Sequence, residues 1–346
     1  MKKGGYILFF AICLLQACGV KRFIPADEKL YKGATIKIEK AKGVKTSVSK
    51  LRKKIKIASR PKRNKFILGQ PYKVWWWFVI GEPKKKKGFR TFLRDKLGEP
   101  PVLSNKLNPK LTAENMQSVL ENNGYFHSVV EGDSASKGYL IKAQYHAKVL
   151  PQYDVKEITW VSDKSPLLLL LEREQQKESL LSTGKSYNLE DITAERSRLD
   201  MKLKTQGYYF FNPDFLMAYV DSTIGNHGVH LYLNLKQETP VQAKHPYTID
   251  NITLYPNYNL LSQDKDTIND EMITFDSLRI KQNKKFNPKL FKRVVTFRPG
   301  SIYSSIEQNK TLNRFINLGT FKFVKNQFTP LTDTNTQIYT LGVTYY

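Results

Sequence analysis

Cysteine and histidine are scarce in this 346-residue chain, which holds two cysteines and five histidines. Cys13 lies inside an apolar N-terminal stretch, so Cys18 has no partner for a structural disulfide. The histidines fall mostly on alternating, strand-like segments: His127, His146, His227, His230 and His245. Two of them bracket Gly228, but no cysteine or carboxylate accompanies them at zinc-site spacing. The sequence predicts no metal site and no cofactor.

Catalytic motifs are also missing from the chain. It has no phosphate-binding loop, no Gly-x-Ser-x-Gly and no cysteine paired with histidine. The acidic stretch Asp264 to Asp276 lacks the tight alternation of carboxylates that calcium requires, and is predicted to be an exposed loop. We predict no catalytic residues, and a lipoprotein enzyme is the weakest functional hypothesis.

Long apolar runs are absent beyond the N-terminus. Lys2 and Lys3 precede an apolar run from Tyr6 to Leu15, which is too short to span a bilayer and is typical of a secretory signal. The run Leu167 to Leu171 holds only five leucines. The pattern predicts an exported protein.

The segment Leu15-Gln16-Ala17-Cys18-Gly19 resembles the lipobox of bacterial lipoproteins, although Gln16 departs from its commonest form. The resemblance implies a signal peptide over residues 1–17, a covalent lipid on Cys18, and a linker over residues 18–30. The alternative is an ordinary signal peptide in which Cys18 has no role.

Positive charge is abundant, with a formal net charge of +25, and it is concentrated. Residues 50–96 hold 17 lysines or arginines against only Glu82 and Asp95. Within this segment tryptophans precede a lysine run, a composition typical of membrane-interface surfaces: Trp75, Trp76, Trp77, Lys84, Lys85, Lys86 and Lys87. The alternative is a solvated loop whose aromatic residues pack on the adjacent domain. Export argues against nucleic acid as the partner.

A phrase recurs three times along the chain: Leu120 to Phe126, Leu203 to Tyr209 and Phe315 to Phe321. Each has an apolar residue four positions before a glycine, and each follows a helical pattern. Gly124, Gly207 and Gly319 are therefore predicted to end helices, as glycine does at positive φ. The plainer interpretation of these glycines is that they only end helices, as glycines do in many α+β domains.

Strand patterns surround each phrase. Two follow it, near 127–131 and 139–149, 211–220 and 229–237, and 321–328 and 337–343, with turns predicted at Gly132-Asp-Ser and Gly225 to Gly228. A β-branched strand opens each repeat, near 31–38, 153–160 and 247–254, and a later glycine recurs at Gly98, Gly184 and Gly300. The predicted fold class is α+β, with three tandem β-α-α-β-β modules over residues 31–150, 151–240 and 245–346. The first carries a basic insertion over about residues 56–97.

This repeat resembles the POTRA domains of the outer-membrane protein assembly superfamily. Together with Cys18 and the segment Gly98 to Val102, it is most similar to the lipid-anchored lipoproteins of the translocation and assembly module family. Members of that kind carry a membrane β-barrel after the last module, and none is expected in this chain. A fragment, a shortened gene and a barrel on a separate chain are the open explanations.

The resemblance implies a periplasm-facing scaffold, anchored to the outer membrane, that binds polypeptides by β-augmentation. The implied partners are outer-membrane β-barrel proteins, a barrel or insertase subunit, an inner-membrane translocation subunit and an anionic membrane surface. Candidate client-binding residues lie on the second strand of each module: His127, Val129, Phe215, Met217, Phe323 and Lys325. Alternatively, these strands serve only as parts of the module cores or as joints between modules. A stand-alone periplasmic tether is the second functional hypothesis.

Overall fold

The computed structural model describes residues 16–83, 85–161, 164–258, 271–282, 285–331 and 338–346. The described part of the chain contains the following α-helices: α1 (Val48–Lys56), α2 (Tyr72–Ile80), α3 (Phe89–Leu97), α4 (Pro109–Asn122), α5 (Pro166–Lys177), α6 (Leu189–Thr205), α7 (Pro288–Val294) and α8 (Ser305–Asn317). Short 3-10 helices cover Gln16–Phe23, Ser104–Lys106, Pro213–Phe215 and Val241–Lys244. No helix among these residues is long and apolar enough to cross a bilayer.

The strands are β1 (Leu30–Lys40), β2 (Val129–Lys137), β3 (Leu140–Val149), β4 (Asp154–Trp160), β5 (Leu216–Asp221), β6 (Gly228–Leu235), β7 (Thr248–Leu254), β8 (Met272–Phe275), β9 (Leu278–Lys281), β10 (Asn326–Pro330) and β11 (Thr340–Tyr345). They form sheets in the orders β1-β3-β2, β4-β6-β5 and β10-β11-β7-β9-β8. Along the chain, the strands of each sheet and their helices follow the order β-α-α-β-β. The first repeat has α2 and α3 as an insertion, and the third has β8 and β9. The predicted α+β class is confirmed.

Helix starts follow local sequence rules. Asn108, Ser165 and Asn287 each accept a hydrogen bond from a first-turn amide, and a proline follows each of them at the first helical position. A side-chain cap satisfies an otherwise unpaired N–H, and proline lacks the N–H that has no partner there. α4, α5 and α7 therefore begin where the chain supplies a polar cap followed by proline.

Compact packing divides the chain into two units. The first holds Met1–Asp154, described from Gln16, with Ser186–Leu189 and Ile224–Gly228. Its main core lies between the β1-β3-β2 sheet and helices α1 and α4, where Leu51, Ile55, Met116 and Leu120 are fully buried. A smaller core joins the N-terminal 3-10 helix to α2.

The second unit holds Val155–Lys185, Glu190–Thr223 and Val229–Tyr346. One of its cores packs α5 and α6 over β5, with Leu171 and Leu203 fully buried. The other packs α7 and α8 against β7, β9 and β11 and is rich in aromatic residues, among them Phe291 and Phe315. Each helix pair thus covers one face of its sheet.

The repeated glycines adopt the backbone conformation predicted for helix ends. Gly124, Gly207 and Gly319 have φ of 80°, 102° and 62°. The first two also touch the segment that follows. Gly124 O accepts a hydrogen bond from Tyr153 N at 2.8 Å, and Gly207 O accepts one from Tyr247 N at 2.9 Å. The phrase is therefore a joint to the next repeat as well as a helix stop.

Aromatic rings fill these joints. Within the first unit Phe126 lies 5.2 Å from Tyr153 and 5.0 Å from Tyr187 between ring centroids. Within the second, Tyr209 lies 4.9 Å from Tyr303. Burial raises the pKa of the Tyr187 and Tyr209 phenols above the usual value, because the packed rings disfavour the charged phenolate.

Gly132 does not form the turn that the sequence indicated. β2 runs straight through it, and the hairpin turns at Gly138 instead, between Lys137 and Leu140. A Cβ at Gly132 would lie 2.4 Å from Pro109 O and 2.9 Å from Ala113 Cβ. Glycine is needed there because α4 packs directly on the strand. The turn predicted at Gly225 to Gly228 is confirmed, with Asn226 and His227 both at positive φ.

The acidic stretch predicted as an exposed loop is partly a β-hairpin. Residues 259–270 lie outside the described residues, but β8 and β9 pair antiparallel immediately after them. β9 then pairs parallel to β7 through Thr253 with Arg279 and Leu254 with Ile280. Leu278 and Ile280 are buried in the core, which fixes the hairpin at this edge.

Candidate functional site

The second strand of each repeat lies at the edge of its sheet. β2, β5 and β10 each pair on one side with the strand that follows them, over nine, six and five residue pairs. Such edges present backbone N–H and C=O groups that template a further strand. β2 is the longest of the three, and β10 ends at Pro330, which has no N–H to donate.

The first strand of each repeat is closed at its start by the chain itself. Tyr31 N donates to Val102 O, Val155 N to Lys185 O and Ile249 N to Ser301 O, each at 2.8 Å. These acceptors follow Gly98, Gly184 and Gly300, the second set of repeated glycines. In the third repeat β9 also covers part of β7. In the first two sheets the second strands are therefore the more open edges, whereas the opposite edge of the third sheet, among the described residues, is β8.

The outer amides of β2 donate to side chains. Ser134 N donates to Asp133 Oδ1 at 2.7 Å, and Val130 N donates to Gln117 Oε1 at 3.4 Å. Val130 and Ser134 are four residues apart, so their amides point to the same side of β2, away from β3. Gln117 and Asp133 act as polar caps on this edge. Sequence reasoning missed both, since nothing local marks them as edge caps.

The predicted client-binding residues occupy different positions relative to these edges. Val129 begins β2 with 48% of its surface exposed, and Met217 lies in β5 opposite Asn234. Phe323 precedes β10 and is 37% exposed. Lys325 exchanges two backbone hydrogen bonds with Tyr346, at 2.8 and 3.0 Å. These four residues lie on or beside edge strands.

Four of the six residues lie outside the strands, which corrects the predicted boundaries: His127, Phe215, Phe323 and Lys325. His127 stands in a turn at φ 59°, with its ring 6.2 Å from Tyr153. Phe215 ends the 3-10 helix Pro213–Phe215, and its ring lies 6.0 Å from Phe211. In both repeats the chain needs a turn between the helix end and the edge strand, so the strand starts later than alternation suggested.

The basic insertion folds into a hairpin of α2 and α3. Trp75 packs on the small core formed by Val20, Ile24 and Leu30. Trp77 lies beneath the guanidinium of Arg94, 3.6 Å from the ring centroid. Trp76, in contrast, is 39% exposed. Two of the three predicted surface tryptophans are therefore engaged within the first unit.

Lys85, Lys86 and Lys87 are exposed in the connection between α2 and α3, while Lys84 lies outside the described residues. Phe89 and Phe92 on α3 are 77% and 56% exposed. Sequence reasoning missed these phenylalanines. The two phenylalanines are three residues apart and follow the lysine run, and this helical spacing is the signal that could have identified them.

Cys18 lies in the 3-10 helix Gln16–Phe23. This helix packs on α2, since the rings of Phe23 and Phe78 stack at 5.2 Å. The described residues contain no group of three or more His, Cys, Asp or Glu residues arranged to hold a metal ion.

Comparison with known proteins finds similarity among solved structures. No protein-family model matches the chain, and no curated protein matches it. Among solved structures it is similar to POTRA3-5 of BamA from Haemophilus influenzae, with 13% identity and a TM-score of 0.42 over 93% of this chain and 98% of that one. The predicted resemblance is to POTRA domains, and it is found here.

Two cyanobacterial proteins show the same resemblance. POTRA1-3 of Omp85 from Anabaena has 13% identity and a TM-score of 0.28, over 92% of this chain and 95% of that one. The N-terminal domain of Omp85 from Thermosynechococcus elongatus has 10% identity and a TM-score of 0.26, over 93% and 98%. These likenesses to POTRA structures concern the fold alone.

Proposed function

We propose that this chain is a lipid-anchored scaffold, facing the periplasm from the outer membrane, that binds extended polypeptides during outer-membrane protein assembly. It binds them by adding a strand to its exposed sheet edges. The proposal joins three observations: the POTRA-like repeats, the signal and lipobox pattern before Gly19, and the strand edges described above.

The edge of β2 is the observation that carries the proposal. It offers nine residues paired only with β3, and its outer amides are held by the side chains of Gln117 and Asp133. A client strand replaces such side-chain caps by main-chain hydrogen bonds, which do not depend on the client's sequence. This suits a scaffold that handles many β-barrel clients.

The proposed partners follow from this mode of binding. Unfolded outer-membrane β-barrel proteins supply extended strands, and a barrel or insertase subunit receives them. An inner-membrane translocation subunit is a further proposed partner, reached across the periplasm. The protein itself is proposed to act without catalysis, as a binding surface.

Proline on the outer amide of β2 tests the proposal. Ser134→Pro removes the outward N–H, and proline at such a position leaves the bonds to β3 in place. The client is a urea-denatured outer-membrane β-barrel protein that is diluted into buffer, and its binding is measured by a crosslinker placed at Ser136. We expect Ser134→Pro to weaken this binding about three- to tenfold. The test uses the chain from residue 18, the form that signal cleavage is predicted to leave.

Ser134→Ala is the matched control, because it removes the same hydroxyl and keeps the amide. It should bind the denatured client like the unmodified chain. Equal client binding by the proline and alanine variants would contradict β2 augmentation. Membrane retention without any client binding would favour the periplasmic tether instead.

A further inference from the structure

The α2–α3 hairpin turns one apolar side to solvent. On α2, Val74, Trp75 and Phe78 pack toward the core, and Trp77 faces Arg94 of α3. At 3.6 residues per turn, Trp76 and Val79 point away from both neighbours. They are 39% and 43% exposed. An apolar pair is therefore left uncovered on a helix whose other faces are packed.

Phe89 and Phe92 extend this surface. On α3 the side facing α2 carries Arg90, which donates to Ile80 O at 2.7 Å, and Arg94. Because the two helices run antiparallel, helical geometry turns Phe89 to the same side as Trp76 and Val79, with Phe92 on its outer flank. We call these four residues the apolar side of the hairpin.

Positive charge surrounds the apolar side. Residues 72–97 contain eight lysines or arginines against Glu82 and Asp95. Lys85, Lys86 and Lys87 stand exposed at the tip of the hairpin, and Lys96 is exposed on α3. Aromatic residues flanked by lysines suit a lipid headgroup region, where rings enter the interface and cations contact anionic groups.

The N-terminal segment of the described chain is built against this hairpin. A Cβ at Gly19 would lie 3.4 Å from Trp75 Nε1, and Cys18 is its direct neighbour. Val20 and Val74 are both fully buried in the shared core. A lipid on Cys18 would therefore hold its bilayer next to α2.

We propose that the apolar side of the hairpin docks on an anionic phospholipid bilayer, as a second membrane contact beside the lipid. Trp76, Val79, Phe89 and Phe92 enter the headgroup region, and Lys85 to Lys87 contact anionic headgroups. That this bilayer is the same one that holds the lipid anchor rests on the proposed lipidation of Cys18. Docking itself does not depend on the lipid, because the residues that carry it lie on α2, on α3 and in the connection between them.

Vesicle binding tests the docking. The chain from residue 18 with Cys18→Ala, which cannot be lipidated, should co-sediment with phosphatidylglycerol-containing vesicles and bind pure phosphatidylcholine vesicles more weakly. Phe89→Ser with Phe92→Ser should weaken binding about tenfold or more. The matched control is Ile306→Ser with Ile316→Ser, which replaces two apolar residues of α8 that are 60% and 62% exposed and should leave vesicle binding unchanged.

Charge and fluorescence add two readouts. Reversing Lys85, Lys86 and Lys87 to glutamate should weaken vesicle binding about tenfold or more, whereas the same reversal at Lys50, Lys53 and Lys56 on α1 should have a much smaller effect. The blue shift of tryptophan emission on binding should shrink in Trp76→Phe. Equal losses from both lysine sets, or no loss from the phenylalanine pair, would overturn the proposal.

The docking and the scaffold function fail separately. The hairpin variants should still bind a denatured β-barrel client through β2, and Ser134→Pro should still bind vesicles. Loss of client binding in the hairpin variants would show that this surface serves clients, and would overturn membrane docking as its role.

Discussion

Gly124 and Gly207 illustrate at the residue scale how one position serves two constraints. Each ends a helix at positive φ, and each also leaves no room for a side chain. A Cβ at Gly124 would lie 2.9 Å from Tyr187 O, and one at Gly207 would lie 2.8 Å from Pro246 Cβ. Gly319 shares the φ, but a Cβ there would meet nothing within 4 Å.

Alanine substitution separates the two constraints. Gly319→Ala places an alanine in the left-handed conformation without a close contact, and it should lower the free energy of unfolding by about 1 kcal/mol. Gly207→Ala adds a contact with Pro246 and Ile302 and should lower it by about 3 kcal/mol. The midpoint of urea unfolding, followed by the fluorescence of the second unit, measures both. Equal shifts would show that the close contact has no energetic weight.

Sequence reasoning at this scale worked where the signal is local. The helix-ending glycines were predicted because a stop residue follows an apolar period directly. Gly132 was misassigned because the constraint on it comes from α4, which is distant in sequence. Trp75 and Trp77 were assigned to the surface because composition does not show which face of a short helix packs on the N-terminal segment.

The β8–β9 hairpin shows, at the scale of elements, that the chain itself can occupy a sheet edge. It adds two strands to the third sheet through only two residue pairs with β7 and is fixed by buried Leu278 and Ile280. A composition rich in charge predicted a loop here. The strands were missed because they are four residues long and their partner strand is distant in sequence.

Arg279→Pro should detach this hairpin from β7, because proline has no N–H for the ladder and its ring disfavours the paired conformation. We expect hydrogen exchange at the Leu254 amide, which faces β9, to accelerate, while the Thr253 amide, which faces β11, stays protected. Arg279→Ala keeps the amide and should leave exchange unchanged. Similar exchange in both variants would mean that the buried side chains alone hold the hairpin.

For the molecule as a whole, the repeat was the strongest sequence signal. One phrase in triplicate predicted the α+β class and the order of elements. The edges suited to binding follow from sheet order, which no local pattern encodes. The apolar side of the hairpin likewise emerges only when α2 and α3 pack together.

The proposed attachment to a membrane concerns the molecule as a whole, and it can be tested at the N-terminus. Wild-type chain expressed in a Gram-negative host should yield an N-terminal peptide whose mass includes acyl chains on Cys18. Cys18→Ala should abolish that mass, and Cys13→Ala should leave it unchanged, since Cys13 lies in the predicted signal. An unmodified Cys18 in the wild-type peptide would contradict lipidation.

The joints between repeats rest on a glycine carbonyl and the amide of the tyrosine directly before the next strand, with aromatic rings packed around them. Neither backbone group depends on a particular side chain for its bond. A gene segment that encodes one repeat therefore carries both halves of the connection, an acceptor after its last helix and a donor directly before its first strand. Duplication or loss of such a segment leaves compatible ends, which gives a lineage a simple way to lengthen or shorten the array.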